Sequence, residues 1–299
     1  MRRILAALWE HQRITFIVYI LQMKRVIVPI WRIICYPIIF VVVNLCISVI
    51  WYFVAFFTYL LDVVSTGREI ILEESVYALS ASLNWSLISL VSGTITFLII
   101  CLMQRKEWKE ASFWRVSNIP ASGIVMCAFI GVALNFFVGG IINLAGLNEL
   151  FPDHADLMES IFSGHIIIQI LSTAIMAPVL EEVTYRGIIL KRLANTSMKF
   201  HLANIIQAFL FGVFHFNIMQ SSYAFLIGII FGLVYAKFKT IWAPIVMHIT
   251  FNLLSVIMSY LLSDYYVEVS YTSIAIMVVV ISVVIGLFIY RIKKVDNIV

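Results

Sequence analysis

Residues Phe162–Leu190 read FSGHIIIQILSTAIMAPVLEEVTYRGIIL, an apolar run that nonetheless carries Glu181, Glu182 and Arg186. A spanning helix needs about 20 mostly apolar residues, and this stretch has that length with charge set inside it. The rest of the chain points to a membrane as well. Its 299 residues are 63% hydrophobic and the mean hydropathy is +1.03, well above the roughly half apolar content of soluble domains. The reading is an integral membrane protein of all-α class, a polytopic helical bundle. A soluble domain of ordinary size, about 100 residues or more, has no room in it.

The same ruler gives eight candidate transmembrane helices, near 35–62, 80–103, 121–147, 162–190, 200–217, 221–238, 241–262 and 271–291. Basic residues fall on alternate connections: Arg105, Lys106, Lys109 and Arg115, then Lys191, Arg192 and Lys199, then Lys237 and Lys239, then Arg291, Lys293 and Lys294. The intervening connections, such as FPDHADLMES and LLSDYYVEVS, are acidic or uncharged, with Arg68 their only basic residue. By the positive-inside rule both termini are expected in the cytoplasm, with the protein multi-pass in the cell membrane. In residues 1–34, Arg2, Arg3, Arg13, Lys24, Arg25 and Arg32 alternate with Trp9, Phe16, Tyr19 and Trp31. That pattern suits an amphipathic helix lying on the inner leaflet, and no small-residue cleavage site follows ITFIVYIL. The chain then divides into this basic segment, two transmembrane helices over 35–118, a core over 119–262, and a last transmembrane helix with a basic tail over 263–299. Cys35, Cys46, Cys101 and Cys127 form no C-x-x-C pair and are read as packing residues.

An intramembrane carboxylate costs at least ~2.5–3.5 kcal/mol on insertion scales and marks a functional site by default. Of 16 acidic residues only Glu181 and Glu182 lie well inside a predicted span. Glu182 and Arg186 stand at i and i+4, the spacing and order of a helical ion pair, whereas Glu181 is rotated about 100° away. Geometry therefore assigns Glu182 and Arg186 to a structural ion pair and leaves Glu181 for chemistry. Pro178 removes a backbone donor just ahead of them. His215 follows Phe211 by one turn, and His248 and Asn252 share a face at i and i+4. These three join Glu181 as candidates, while His165 reads as a packing histidine near the outer end of its span. One feature resists: from Lys199, His215 lies ~24 Å along a helix, against ~15 Å from Lys191 to Glu181. Either that helix tilts strongly or MKFHLAN dips into the bilayer.

Glu181-Glu182-x-x-x-Arg186, Phe211-x-x-x-His215 and His248-x-x-x-Asn252, in this order on three hydrophobic segments, resemble the CPBP intramembrane proteases. That family includes the type II CAAX prenyl endopeptidases and the Abi bacteriocin-processing proteins. The resemblance covers roughly residues 120–260 and marks the segment 119–262 as a protease core. It implies peptide-bond hydrolysis, with Glu181 and His215 activating a water and His248 and Asn252 forming an oxyanion hole. Members of the family are also called metalloproteases, and under that reading Glu181, His215 and His248 would be a His₂Glu set for zinc or another divalent metal. The metal-free mechanism needs no cofactor, and no H-E-x-x-H helix is present.

The expected activity is an intramembrane endopeptidase acting on a small hydrophobic or lipid-tethered peptide, such as a prepeptide, with the lipid bilayer as its medium. A non-proteolytic membrane scaffold or bacteriocin-immunity protein is one alternative; an ion-coupled transporter, which also uses intramembrane Glu and His, is another. No Gly-rich phosphate loop or G-x-S-x-G occurs. The basic residues track one membrane face, which leaves no patch for nucleic acid.

Overall fold

A computed structural model describes residues 2–67, 84–109, 119–162, 164–196 and 198–262, together with Val279. The expected span at 271–291 lies outside the described residues. The elements are α1 (Arg2–Thr66), α2 (Trp85–Gln104), α3 (Ala121–Leu144), the short α4 (Leu147–Leu150) and α5 (Pro152–Ile161), α6 (Ile166–Ala194), α7 (Phe200–Val213), α8 (Ile218–Phe238) and α9 (Trp242–Leu262). Among the described residues six helices are long and apolar enough to cross a membrane: α1 from Ile30 onward, α2, α3, α6, α8 and α9. The protein is a multi-pass, all-helical membrane bundle.

One expectation needs correction. Residues 200–217 do not form a spanning helix: α7 has 14 residues, ~21 Å at the helical rise. The chain then turns at Phe214–Asn217, with Phe216 in the left-handed region at φ 55°, and Asn217 caps α8 by accepting from the Gln220 amide. The apolar residues Phe214 and Phe216 made this turn look like a continuing span. At the other end, α1 is continuous from Arg2 to Thr66, and its apolar stretch long enough to span begins at Ile30. Pro29 and Pro37 lie within it and do not end it.

Lipid-facing apolar side chains such as Leu45, Phe53, Leu102, Val125 and Phe129 are exposed. Since lipid is as apolar as leucine, such helices associate through close packing and interhelical hydrogen bonds. Gly131 of α3 shows the first: a Cβ there would lie 2.2 Å from Thr250 Oγ1 and 2.3 Å from the Met247 carbonyl on α9. Asn135, one turn on, donates to the Phe251 carbonyl at 2.9 Å. In the last turn of α6, Arg192 ties the bundle together by donating to the Arg32 carbonyl at 2.5 Å and pairing with Glu107 at 3.3 Å.

Candidate active site

The helix that carries the acidic pair is irregular on both sides of it. Within α6, Ile170–Met176 and Val183–Leu190 are π-helical and bracket the α-helical Ala177–Glu182. Wide turns of this kind concentrate at functional sites. Pro178 supplies a local reason for the first. The Ala177 amide reaches back five residues to the Ser172 carbonyl, and in that register residue 178 would bond to Thr173. Proline has no amide hydrogen, so the Thr173 carbonyl is left over, and Asn252 of α9 donates its Nδ2 to it at 2.8 Å.

Glu182 is fully buried and its Oε1 accepts two hydrogen bonds, from Arg186 Nη1 at 2.8 Å and from His248 Nδ1 at 2.8 Å. Arg186, also fully buried, places Nη2 at 3.0 Å from the Gly228 carbonyl. Its guanidinium lies over two rings, 4.6 Å from the centre of Phe211 and 5.2 Å from that of Phe231. A buried charge is tolerable only when paired and hydrogen-bonded, and this one is held by a carboxylate, a carbonyl and two aromatic faces.

Glu181 differs from its neighbour. Its side chain is 26% exposed, and its Oε2 stands 3.7 Å from His248 Nε2, beyond a direct hydrogen bond. His248 is thus set between the two acids, bonded to one and facing the other. His215 sits in the turn after α7, where its Nδ1 is 2.7 Å from the Phe211 carbonyl. A carbonyl only accepts, so Nδ1 carries the hydrogen and Nε2 keeps its lone pair. Phe211 lies between the imidazoles, its ring centre 4.9 Å from His215 and 6.0 Å from His248.

Glu181, His215, His248 and Asn252 line a single cavity of about 470 Å³, with Thr173 and Tyr223 also on its wall. Its remaining lining is largely apolar, from Phe40 of α1 and Trp85 of α2 to Leu157 of α5. Glu182 and Arg186 stand behind this wall. His165 is not a packing residue: it is exposed, and its Nδ1 caps α6 by accepting from the Ile167 amide at 3.3 Å. Among the described residues no three His, Cys, Asp or Glu side chains converge as metal ligands. Glu181 Oε2 and His248 Nε2 face each other across 3.7 Å with His248 Nδ1 held by Glu182, an orientation that suits a ligating histidine, but among the described residues no third such side chain joins them.

Several participants escaped sequence reading. Asn204 and Gln207, buried on α7, donate to α8 carbonyls; as polar residues at i and i+3 in an apolar helix they carried a signal. Phe231 carried none, being one apolar residue among many.

Comparison with known proteins gives this geometry a context. Residues 163–254 match the family described as Type II CAAX prenyl endopeptidase Rce1-like. A relative described as "Putative membrane peptidase YdiL", from Bacillus subtilis (strain 168), is 26% identical over 179 residues, 58% of this chain and 70% of the relative. No solved structure matches. The chain is a membrane protease. Through the segment 163–254, which holds every candidate catalytic residue, it is similar to the type II CAAX prenyl endopeptidases.

Proposed function

We propose that the protein is an intramembrane endopeptidase that hydrolyses a small hydrophobic or lipid-tethered peptide with a water activated by Glu181 and His215. The observation that carries the reading is the single cavity lined by Glu181, His215, His248 and Asn252 from three parts of the chain. Its apolar walls suit a hydrophobic substrate, and its polar groups are few and convergent. Positively charged connections on one side of the bundle support a cytoplasmic location for both termini in the cell membrane.

In this mechanism the water oxygen attacks the scissile carbonyl carbon while Glu181 takes one of its protons as general base. His215, with Nδ1–H given to Phe211, uses its Nε2 lone pair to orient the same water. The carbonyl π electrons move onto oxygen. The developing oxyanion accepts from His248 Nε2–H and from the second hydrogen of the Asn252 amide, whose first is given to Thr173. Since His248 Nδ1–H serves Glu182, donation at Nε2 requires the imidazolium. Collapse of the tetrahedral intermediate breaks the C–N bond. Glu181 returns its proton to the leaving amine, which yields a carboxylic acid, its hydroxyl oxygen and hydrogen from the water, and an amine.

The test is cleavage of a hydrophobic reporter peptide by the purified, reconstituted protein in H₂¹⁸O, read by mass spectrometry. Direct attack by water puts one ¹⁸O in the new carboxyl group during a single turnover, with no peptide attached to the protein. A covalent peptide–protein adduct, or no cleavage of any hydrophobic or lipid-tethered peptide offered, would overturn the reading.

A further inference from the structure

We infer that Asn204 and Gln207 are positioning residues for the site, forming a polar clamp that sets the register of α7 against α8. This rests on the hydrolytic reading above. Asn204 Nδ2 donates to the Ile229 carbonyl at 3.0 Å; Gln207 Nε2 donates to the Gly228 carbonyl at 3.0 Å and to Asn204 Oδ1 at 2.9 Å. Both amides are buried, where polar groups are costly without such partners. The clamp also requires the glycines opposite it. A Cβ at Gly232 would lie 1.7 Å from Asn204 Oδ1, and one at Gly228 would lie 3.1 Å from Ala208 Cβ.

Two features connect the clamp to the chemistry. Asn204, Gln207, Phe211 and His215 stand at i, i+3, i+7 and i+11, one stripe along the helix and the turn that follows it. Whatever fixes the first two therefore fixes the ring between the imidazoles and the histidine proposed to orient water. The Gly228 carbonyl, in addition, accepts from both Gln207 Nε2 and Arg186 Nη2, each at 3.0 Å. One backbone oxygen thus joins the clamp to the guanidinium that holds Glu182, and through Glu182 to His248.

The need for a clamp follows from the medium. Apolar helices in lipid have no hydrophobic force selecting their register, and α7 is short. A slip of one residue would turn the stripe by about 100° and a slip of one turn would move His215 by about 5.4 Å. Amide-to-carbonyl bonds are satisfied in one register only.

Gln207→Met removes the donors at similar length, and Asn204→Ser is a milder variant. In full-length reconstituted protein, either is expected to lower kcat by about 10- to 100-fold, the scale of a 1 Å misplacement of catalytic groups. KM should stay within about threefold, since groups that act in the transition state show in kcat. The pH profile of kcat should shift by about half a unit or more, because the setting of the essential base changes. A structural role alone would lower thermal stability and leave kcat per folded molecule and its pH profile as in the wild type; that result in the folded variants overturns the clamp. Glu181→Gln run in parallel separates the two levels. If it retains wild-type turnover, the hydrolytic reading fails; if it is inactive while Gln207→Met or Asn204→Ser matches wild type, the clamp alone fails.

Discussion

Replacing Arg186 by Met keeps most of the side-chain volume and removes the charge. In the wild type the guanidinium gives Nη1 to Glu182 at 2.8 Å and Nη2 to the Gly228 carbonyl at 3.0 Å, with both charged side chains fully buried. Breaking a buried pair by removing one partner costs about 3–5 kcal/mol, because the remaining charge loses its compensation while staying out of water. The bonded His248 imidazole softens that loss, and the lost contacts with Phe211 and Phe231 add to it at about 0.5–2 kcal/mol each. Taking about 3–5 kcal/mol and about 2–4 °C per kcal/mol for a large domain, the melting temperature should fall by about 6–20 °C. The assay is thermal unfolding in detergent followed by tryptophan fluorescence. The double variant Arg186→Met with Glu182→Gln removes both charges and should recover much of the loss, giving a coupling of about 2 kcal/mol or more. If Arg186→Met melts within about 2 °C of the wild type, or the double change is simply additive, the buried pair does not hold the site and the reasoning fails.

Three further outcomes are expected. Asn252→Ala should reduce kcat by about 10²–10³-fold, the scale for one oxyanion donor; steady-state kinetics that leave kcat within threefold of wild type would remove Asn252 from the chemistry. Gly131→Ala drives a methyl to 2.2 Å from Thr250 Oγ1 and 2.3 Å from the Met247 carbonyl, an overpacking that should cost about 1–3 kcal/mol in thermal unfolding; a neutral outcome would mean that α3 and α9 do not pack this closely. On α5, burial holds the His154 imidazole pKa below its ordinary 6.5. Its unfolded form therefore takes up a proton first, so the stability from burying it neutral is fully present above the unfolded pKa and is lost as pH falls through the folded one. His154→Leu should then flatten the acid side of the melting-temperature profile, and an unchanged profile would contradict that burial.

Much of this architecture is legible in the sequence because bilayer thickness imposes a length on every spanning helix. Runs such as 121–147 and 241–262 meet that length, and Ala121–Leu144 and Trp242–Leu262 are helices. Hydropathy failed where an apolar segment did something other than span: Phe214 and Phe216 are oily residues in a turn, with only Asn217 to mark the start of the next helix. The acid pair was conspicuous because carboxylates are rare in hydrocarbon, and the i, i+4 spacing of Glu182 and Arg186 follows one helix. Contacts between helices were not legible. That His248 would reach Glu182 depends on where α9 lies against α6, and the bond from Asn252 to Thr173 depends on a carbonyl left over by a proline five residues later. The π-helical turns are invisible to a periodicity of 3.6.

The account depends most on the difference between two adjacent acids, Glu181 facing the cavity and Glu182 sealed behind it. Its most direct test is the hydrolysis rate of a reporter peptide by reconstituted Glu181→Gln, measured beside thermal unfolding of the same preparation. The account predicts a rate at least about 10²-fold below wild type, since the general base is lost and catalysis by such groups contributes about 10²–10⁴-fold, with melting nearly unchanged. Wild-type hydrolysis by a folded Glu181→Gln protein would contradict it.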